Sequence, residues 1–385
     1  MNTYGRQAIC FEHGEGVYLI DSEGNRYLDA ISGIGVNALG HAHPAVSAAI
    51  KQQADTLLHT SNLYTIERQE ALAEALCQAS GMDNVFFGNS GAEANEAAIK
   101  IARLYGHQKK IATPKIIVME TAFHGRTLAT LTASGNAKIQ QGFEPLVEGF
   151  IRVPFADLEA IQALSSNNDI VAVLMEPIQG EGGLHTLPTG FLAQLRSLCD
   201  EAQWLLMLDE VQTGNGRTGR YFAYQHENII PDVVTTAKGL GNGVPIGACL
   251  ASGPAAKVFS PGNHGSTYGG NPLCCAAALA VVRSIHELNL LDNAAAMGSY
   301  IKSNLQQHLG HHPLVKDIRG QGLMIGVELS SECTELVNIA RAQGLLINVT
   351  AGSVIRLLPP LIINKAEADS IVETVISIVE SFQPA

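Results

Sequence analysis

The chain of 385 residues has few basic side chains and no long apolar run. Its 24 Lys and Arg residues are outnumbered by 36 Asp and Glu residues, which gives a formal net charge of −12. An acidic chain is poorly suited to bind nucleic acid or anionic lipid, so we expect neither as a partner. No apolar run reaches the roughly 18 residues of a membrane-spanning helix, and we therefore expect no membrane segment.

Cysteine is sparse and follows no ligand pattern. No pair among the seven cysteines has CxxC spacing, and most lie in apolar runs, as small buried side chains do in a reducing compartment. His41 and His43 are two residues apart, a spacing that suits neither a zinc helix nor a closed Cys/His site. The N-terminal residues have no apolar segment typical of a signal peptide. We predict a cytoplasmic protein without a metal site.

Short apolar runs alternate with helical patterns through the first two thirds of the chain. Several runs are apolar throughout, as strands buried on both faces must be. The runs are Val85–Phe87, Lys115–Met119, Ile170–Met175, Leu205–Leu208, Asp232–Thr236 and Ile246–Leu250. Strands separated by helical crossovers predict an α/β fold with a largely parallel sheet.

The pattern changes after about residue 273. An Ala-rich helix from Pro272 to about His286 is followed by alternating helices and short strands, which predicts a small α+β domain. Residues 16–30 predict a β-hairpin that joins this small domain. The predicted organisation is an N-terminal segment packing with the small domain (1–45), a large domain (46–273) and a C-terminal small domain (274–385).

The stretch GNSGAEANE, from Gly88 to Glu96, places a turn of small residues between a strand and a helix. Ser90 and Glu93 fit a capping box, so the simplest interpretation is a well-capped helix. The alternative is that free backbone N–H groups and the helix dipole bind an anion, most often phosphate. Neither a P-loop nor a GxGxxG motif is present.

Three further motifs follow the ends of predicted strands. Phe123, in FHGRT, could stack on a planar ring or anchor a loop. Asp209 ends an apolar strand, where a buried carboxylate needs a metal or a protonated ring nitrogen as its partner. Lys238, between Ala and Gly, is either a desolvated amine able to form a Schiff base or the partner of a carboxylate. Together these parts are the ones needed to hold pyridoxal 5′-phosphate (PLP).

The motifs resemble those of the class III (subgroup II) PLP-dependent aminotransferases of fold type I. The resemblance spans nearly the whole chain, and it implies a large domain with a mainly parallel seven-stranded sheet and a small α+β domain built from both chain ends. The matching stretches are GNSGAEANEAA, FHGRT, EPIQGEGG, LDEVQTGNGRTG, TTAKGLGNGVPIGA, GSTYGGNP and IRLLPPL.

The resemblance implies the roles of the cofactor residues. Lys238 would bind the cofactor covalently, Asp209 would pair with its ring nitrogen, Gln212 would hydrogen-bond its phenolic oxygen and Phe123 would lie on the ring face. The remaining residues implied to bind the phosphate are Ser90, Gly91, Ala92 and, from the other subunit, Thr267. A residue shared in this way implies a homodimer with shared active sites.

The substrate residues are implied in the same way. Arg356 would bind the α-carboxylate of glutamate or 2-oxoglutarate, and Arg126 the α-carboxylate of the donor or the side-chain carboxylate of glutamate. Glu181 would pair with Arg356 while the donor is bound and swing away for glutamate. Ser266 would lie at the substrate mouth. An ordinary strand arginine and a loop acid are the alternatives for Arg356 and Glu181.

The stretches GIGVNALGHAHP and SNLYT are most similar to family members that use N-acetylornithine as amino donor and 2-oxoglutarate as acceptor, in arginine biosynthesis. The alternatives are another ω-amine donor (succinylornithine, succinyldiaminopimelate, ornithine or 4-aminobutyrate), an aminomutase, or a cofactor-binding protein that has lost activity. Asn242 departs from the family pattern, which usually has Gly there, and this departure could alter substrate preference.

Overall fold

The structure, a computed structural model, describes residues 1–384. The strands β1 to β17 are, in chain order, Phe11–Glu15, Tyr18–Asp21, Arg26–Asp29, Asn84–Gly88, Lys115–Met119, Phe150–Val153, Ile170–Met175, Ile178–Gln179, His185–Thr186, Leu205–Asp209, Val233–Thr236, Gly247–Ala251, Val315–Gln321, Met324–Leu329, Leu345–Leu346, Asn348–Thr350 and Val354–Leu357. The helices α1 to α12 are Ser32–Gly35, Pro44–Thr56, Glu67–Ser80, Gly91–Gln108, Leu128–Ala133, Ala137–Gln140, Leu158–Gln162, Phe191–Ala202, Pro272–Glu287, Leu290–Leu309, Leu336–Ala342 and Lys365–Glu380. Three short 3₁₀ helices span Ala223–Glu227, Lys238–Leu240 and Ala255–Lys257.

Seven strands form the large sheet, in the order β4-β12-β11-β10-β7-β5-β6. Strand β12 runs antiparallel to both of its neighbours, and the other pairs are parallel. Strands β7, β10, β11 and β12 are buried along their whole length, which explains their continuous apolar sequences. The predicted α/β fold with a mainly parallel seven-stranded sheet is confirmed.

Two smaller sheets flank this one. One has the order β13-β14-β17-β16 and carries Arg356 on β17. The other has the order β1-β2-β3-β15, so that the N-terminal hairpin pairs with a strand from the last part of the chain. A two-stranded hairpin, β8-β9, holds Glu181 in the loop between its strands.

Strands β1, β6 and β13 are among those that the sequence pattern does not predict, as are the two-residue strands β8 and β9. Strand β6 is a four-residue edge strand of the large sheet, and β1 is a mostly polar edge strand. Strand β13 reads Val-Lys-Asp-Ile-Arg-Gly-Gln, which is too polar to give an apolar alternation. These strands face solvent along one edge or one side, so their sequences lack the apolar signal of a buried strand.

Within residues 1–384, no single helix combines the length and the hydropathy of a membrane span. Helices α9 and α10 pass that test only when they are taken together, and they are bent by 67° at the break between them.

Asp209, the last residue of strand β10, and Glu210, which follows it, have separate tasks, because successive side chains of an extended chain point to opposite faces. Asp209 faces a cavity at the end of the sheet, whereas Glu210 is fully buried on the other side. There Glu210 accepts hydrogen bonds from the backbone N–H groups of Ala223 and Tyr224, both at 3.0 Å, and from the Thr213 hydroxyl at 2.5 Å. Glu210 therefore fastens residues 223–227 to the sheet.

We predict that Glu210→Ala lowers the free energy of unfolding by roughly 2–4 kcal/mol, because it leaves buried N–H donors without an acceptor. Urea unfolding followed by circular dichroism measures the change. The control is Glu373→Ala, which removes the same side chain from an exposed position of helix α12. Equal stability of the two variants would contradict the anchoring role of Glu210.

Candidate active site

A cavity of about 410 Å³ lies at the carboxyl ends of strands β4, β5, β7, β10 and β11. This volume is within the range of small-molecule and cofactor sites. The predicted site residues among its lining are Ser90, Gly91, Ala92, Phe123, Arg126, Glu181, Asp209, Gln212 and Lys238. Arg356 lies directly behind this lining, whereas Ser266 and Thr267 are outside it. The roles of these residues remain predictions, but the chain brings most of them to one place.

The start of helix α4 offers an anion site at one end of the cavity. The Ser90 hydroxyl accepts a hydrogen bond from the Glu93 N–H at 3.2 Å and so caps the helix. The N–H groups of Gly91 and Ala92, in the first turn, have no acceptor within the helix. A Cβ atom at Gly91 would lie 2.7 Å from the Val211 side chain, so only glycine fits here. The turn therefore fits a phosphate group, which helix N-termini bind readily.

Asp209 is buried and held by three hydrogen bonds. Its Oδ2 accepts from Asn95 Nδ2 and from His124 Nδ1, each at 2.7 Å, and its Oδ1 accepts from the Val211 N–H at 3.0 Å. A carboxylate has about four acceptor positions, so about one remains for a group in the cavity. This arrangement fits a protonated ring nitrogen as the next partner of Asp209.

The residues behind Asp209 were not predicted from the sequence. Burial alone would lower the pKa of His124, but the hydrogen bond and charge of Asp209 outweigh it, so the net shift is upward. Burial raises the pKa of Glu176 to about 7. Glu176 accepts from the Phe123 N–H at 3.0 Å and thereby fixes the position of that aromatic residue. Glu176 could have been predicted from the sequence, because it follows the fully apolar strand β7 just as Asp209 ends strand β10.

Lys238 follows strand β11, and its side chain lines the cavity. Its backbone has φ of +43°, in the left-handed region that non-glycine residues rarely occupy. Strain of this kind is often found at functional sites, where the surrounding fold enforces it. Burial lowers the pKa of Lys238 despite the opposing charge of Glu181, which increases the fraction of neutral amine. Among residues 1–384, no carboxylate forms an ion pair with this amine, so it is available to a ligand.

Arg356 and Glu181 form an ion pair at the cavity lining. Arg356 Nη1 lies 2.5 Å from Glu181 Oε1, with 1% of the arginine side chain exposed and 35% of the glutamate side chain exposed. Gln212 hydrogen-bonds to both members of the pair, accepting from Arg356 at 3.3 Å and donating to Glu181 at 3.4 Å. Burial raises the pKa of Glu181, but the Arg356 charge and hydrogen bond outweigh it and hold that pKa below its ordinary value.

Phe123 and Arg126 form the cavity wall next to the Asp209 network. The guanidinium carbon of Arg126 lies 5.6 Å from the centre of the Phe123 ring, a cation–π distance. Arg126 is exposed, so its charge is free to meet a carboxylate that enters the cavity.

Ser266 and Thr267 lie on the exposed loop that precedes helix α9. The Ser266 hydroxyl accepts from Asn89 Nδ2 at 3.2 Å, next to the start of α4, and from the Gly269 N–H at 3.0 Å. Thr267 is exposed and does not reach the cavity of its own chain.

A strained loop brings Val36 to the cavity, a contact that the sequence analysis did not predict. Ser32 and Ile34 have φ of +49° and +66° in the single left-handed turn labelled α1. The Asn242 amide secures the end of this loop, because its Oδ1 accepts from the Leu39 N–H at 2.8 Å and its Nδ2 donates to the Gly40 carbonyl at 3.0 Å. Asn242 thus joins the turn after Lys238 to the loop that carries Val36.

The donor set of the cavity fits PLP better than a metal ion. In the part of the chain that the structure describes, no group of three His, Cys, Asp or Glu side chains is placed to hold a metal. The cavity instead combines a helix N-terminus for a phosphate, an aromatic residue beside a buried carboxylate for a protonated ring, and an amine for an aldehyde.

The chain is similar to known proteins over nearly its whole length. The sequence profile of the family described as Aminotransferase class-III matches residues 2–379. An acetylornithine aminotransferase of Nitrosomonas europaea is 55% identical over 383 residues, which cover 99% of this chain and 98% of that relative.

Two solved structures have the same fold. An ornithine aminotransferase of Toxoplasma gondii, described with partial occupancy of PLP at its active site, matches with a TM-score of 0.94 at 33% identity, over 98% of this chain and 92% of its own. An acetylornithine aminotransferase of Elizabethkingia anophelis matches with a TM-score of 0.88 at 32% identity, over 99% of this chain and 96% of its own. These matches confirm the resemblance found in the motifs: the chain belongs to the class III aminotransferases.

Proposed function

We propose that this aminotransferase moves the δ-amino group of N-acetylornithine to 2-oxoglutarate, giving N-acetylglutamate 5-semialdehyde and glutamate, in arginine biosynthesis. The observation that carries the proposal is the single cavity where Lys238, Asp209, the start of helix α4 and the Glu181–Arg356 pair meet. Relatives named acetylornithine aminotransferase, at 48–55% identity, support the choice of donor.

The cofactor is PLP, which supplies an electron sink that stabilises the carbanion formed next to the transferred amine. Gly91, Ala92 and Ser90 would bind its phosphate, Phe123 would cover its ring, and Asp209 would keep its ring nitrogen protonated. Asn95 and His124 support this task, because their hydrogen bonds orient Asp209 and leave one acceptor position free. Lys238 would hold the cofactor covalently and move the substrate proton as base and then as acid.

The Glu181–Arg356 pair addresses a problem of substrate choice. The donor has no carboxylate at its reacting carbon, whereas glutamate has one there, and the same cavity must accept both. While Glu181 neutralises Arg356, the donor meets no free charge from this arginine. The α-carboxylate of glutamate would displace Glu181 with a bidentate contact, since a guanidinium offers two parallel donors. Arg126 would bind the α-carboxylate of the donor and the side-chain carboxylate of glutamate.

The proposal includes a homodimer. Leu63, Tyr64 and Tyr268 have 84%, 70% and 65% of their surface exposed, which is unusual for large apolar side chains that lie together. Asn62 donates to the backbone carbonyls of Ser266 and Gly269, so these side chains and Thr267 belong to one surface. A second copy that covers this surface would receive Thr267 at its own phosphate site.

The predicted domain boundaries and cytoplasmic location are also retained as proposals.

We predict that, with 2-oxoglutarate as acceptor, the purified protein has a higher kcat/KM for N-acetylornithine than for succinylornithine, ornithine or 4-aminobutyrate. Acetylation turns the α-amine of ornithine, a second cation near Arg126, into a neutral amide, which favours acetylornithine over ornithine. The expected preference over succinylornithine and 4-aminobutyrate rests on the relatives named acetylornithine aminotransferase. Coupled assay of glutamate formation measures the panel. Preference for another donor would replace acetylornithine in the proposal, and turnover of an amino acid without any 2-oxoglutarate would instead indicate an aminomutase.

We predict that Glu181→Gln lowers kcat/KM for acetylornithine much more than for glutamate, because Arg356 then remains charged and unpaired in the donor half-reaction. Arg356→Gln should have the opposite effect and weaken the binding of glutamate and 2-oxoglutarate. The expected loss is about 2–5 kcal/mol, the cost of a lost buried charge contact. Rapid mixing with each substrate alone, followed by absorbance, measures the two half-reactions. Equal losses in both half-reactions for both variants would return Glu181 to an ordinary loop acid.

We predict that Thr267→Ala binds PLP more weakly and that mixing it with Lys238→Ala restores tight binding at one site of each mixed dimer. That site has the intact Lys238 of one chain and the intact Thr267 of the other. Titration of PLP into each variant and into the mixture measures affinity, and a tagged subunit verifies exchange. Full exchange without any gain in affinity would argue against a shared site.

A further inference from the structure

The loop that carries Glu181 is fastened at its backbone by the small sheet that carries Arg356. This loop, residues 180–184, joins strands β8 and β9. The Thr350 hydroxyl, at the end of strand β16, donates to the carbonyl of Glu181 itself at 2.6 Å. Arg319, on strand β13, donates from Nε to the Leu184 carbonyl at 2.9 Å and from Nη2 to the Gly183 carbonyl at 2.5 Å. Three backbone carbonyls of one short loop therefore have side-chain donors from the same sheet.

The loop needs such fastening because its backbone is strained. Gly183 has φ of +117°, and Leu184, a non-glycine residue, has φ of +52°. Leu184 is fully buried in a small apolar cluster with Ile178, Met324 and Leu358. Conformations of this kind persist only where the surrounding contacts enforce them.

Arg319 is itself held in place. Its Nη1 donates to Glu328 Oε2 at 2.7 Å and to Asp317 Oδ2 at 3.0 Å, and 13% of its side chain is exposed. A guanidinium that is fixed on one side by two carboxylates presents its remaining N–H groups in a rigid fork. This fork spans the two consecutive carbonyls of Gly183 and Leu184.

The side chain of Glu181, unlike the backbone of its loop, is not held by Arg319 or Thr350. The side chain is 35% exposed and lines the cavity, so its carboxylate can leave Arg356 without moving the fastened backbone. We propose that Arg319 and Thr350 are positioning residues for Glu181, which hold the loop so that the carboxylate alone exchanges between Arg356 and the cavity. They thereby set the discrimination between the donor and glutamate. This inference rests on the proposed function of the Glu181–Arg356 pair.

The experiment uses the PLP-loaded protein with Arg319→Met and, separately, Thr350→Val. Each removes hydrogen bonds to the loop carbonyls and retains a side chain of similar size. Rapid mixing gives kcat/KM for acetylornithine and for glutamate, and the ratio of the two is the discrimination. We expect Arg319→Met to lower the ratio about five- to tenfold and Thr350→Val to lower it by a smaller factor in the same direction. Arg319→Lys, which can reach one carbonyl, should restore part of the ratio.

A second readout does not depend on turnover. Glutarate, an unreactive dicarboxylate, should bind Arg319→Met more tightly than the parent protein in calorimetry, because a loosened Glu181 competes less well for Arg356. The matched control is Lys316→Met on the same strand. Lys316 pairs with Glu328 at 3.8 Å and is 55% exposed. This control should leave both the ratio and glutarate affinity unchanged, and a change equal to that of Arg319→Met would overturn the proposal.

Combination with Glu181→Gln decides whether Arg319 acts through Glu181. If it does, adding Arg319→Met to Glu181→Gln changes the ratio no further, and a full additional loss would overturn the proposal. If Glu181→Gln shifts the ratio but neither Arg319→Met nor Thr350→Val does, the positioning role is wrong and the proposed function stands. If Glu181→Gln itself leaves the ratio unchanged, the proposed exchange of Glu181 at Arg356 is wrong, and the positioning role is wrong with it. If Arg319→Met does not fold, Thr350→Val provides the same test. Thr350→Ser, which keeps the hydroxyl, should then restore the ratio that Thr350→Val lowers.

Discussion

A guanidinium as deeply buried as that of Arg356 must be compensated, and much of the site is organised around this requirement. Its donors reach Glu181, the Gly180 carbonyl, Asn348 and Gln212. A buried charge without such partners would be very costly. Because Arg356 belongs to the small sheet and Gln212 follows a strand of the large one, meeting the requirement ties the two sheets together at the cavity.

The pair is unequal, and the inequality makes it suitable for exchange. Arg356 is enclosed on all sides and cannot leave, whereas Glu181 is partly exposed and can. An incoming carboxylate therefore competes only for the position of one mobile acid. The rest of the guanidinium keeps its hydrogen bonds to Asn348 and the Gly180 carbonyl while the incoming carboxylate replaces the charge of Glu181.

Residues that end apolar strands could be predicted from the sequence, because a strand of the central sheet delivers its last side chain to a known edge. Asp209 and Lys238 were found in this way, and Glu176 carries the same signal. Asn95 gives no such signal, since it lies inside an Ala-rich helix and its importance depends on contact with Asp209. Arg319 appears in the sequence as an ordinary strand arginine, because its partners on the Glu181 loop are far away along the chain. For Ser266 and Thr267 the sequence offers only the family resemblance, since no chemistry within one chain singles them out.

The pairing of strand β3 with strand β15 has a consequence for the order in which a nascent chain can fold. Leu28 is in register with Leu345, so one edge of β3 stays open until the ribosome has reached strand β15, far along the chain. The loop with Val36 follows β3 directly, and the Leu358 N–H donates to the Ala30 carbonyl at its start. The loop with Val36 thus completes its part of the cavity only after strands β15 and β17 have been synthesised. An unfinished chain has no finished cavity, and its open strand edge is a natural target for chaperones.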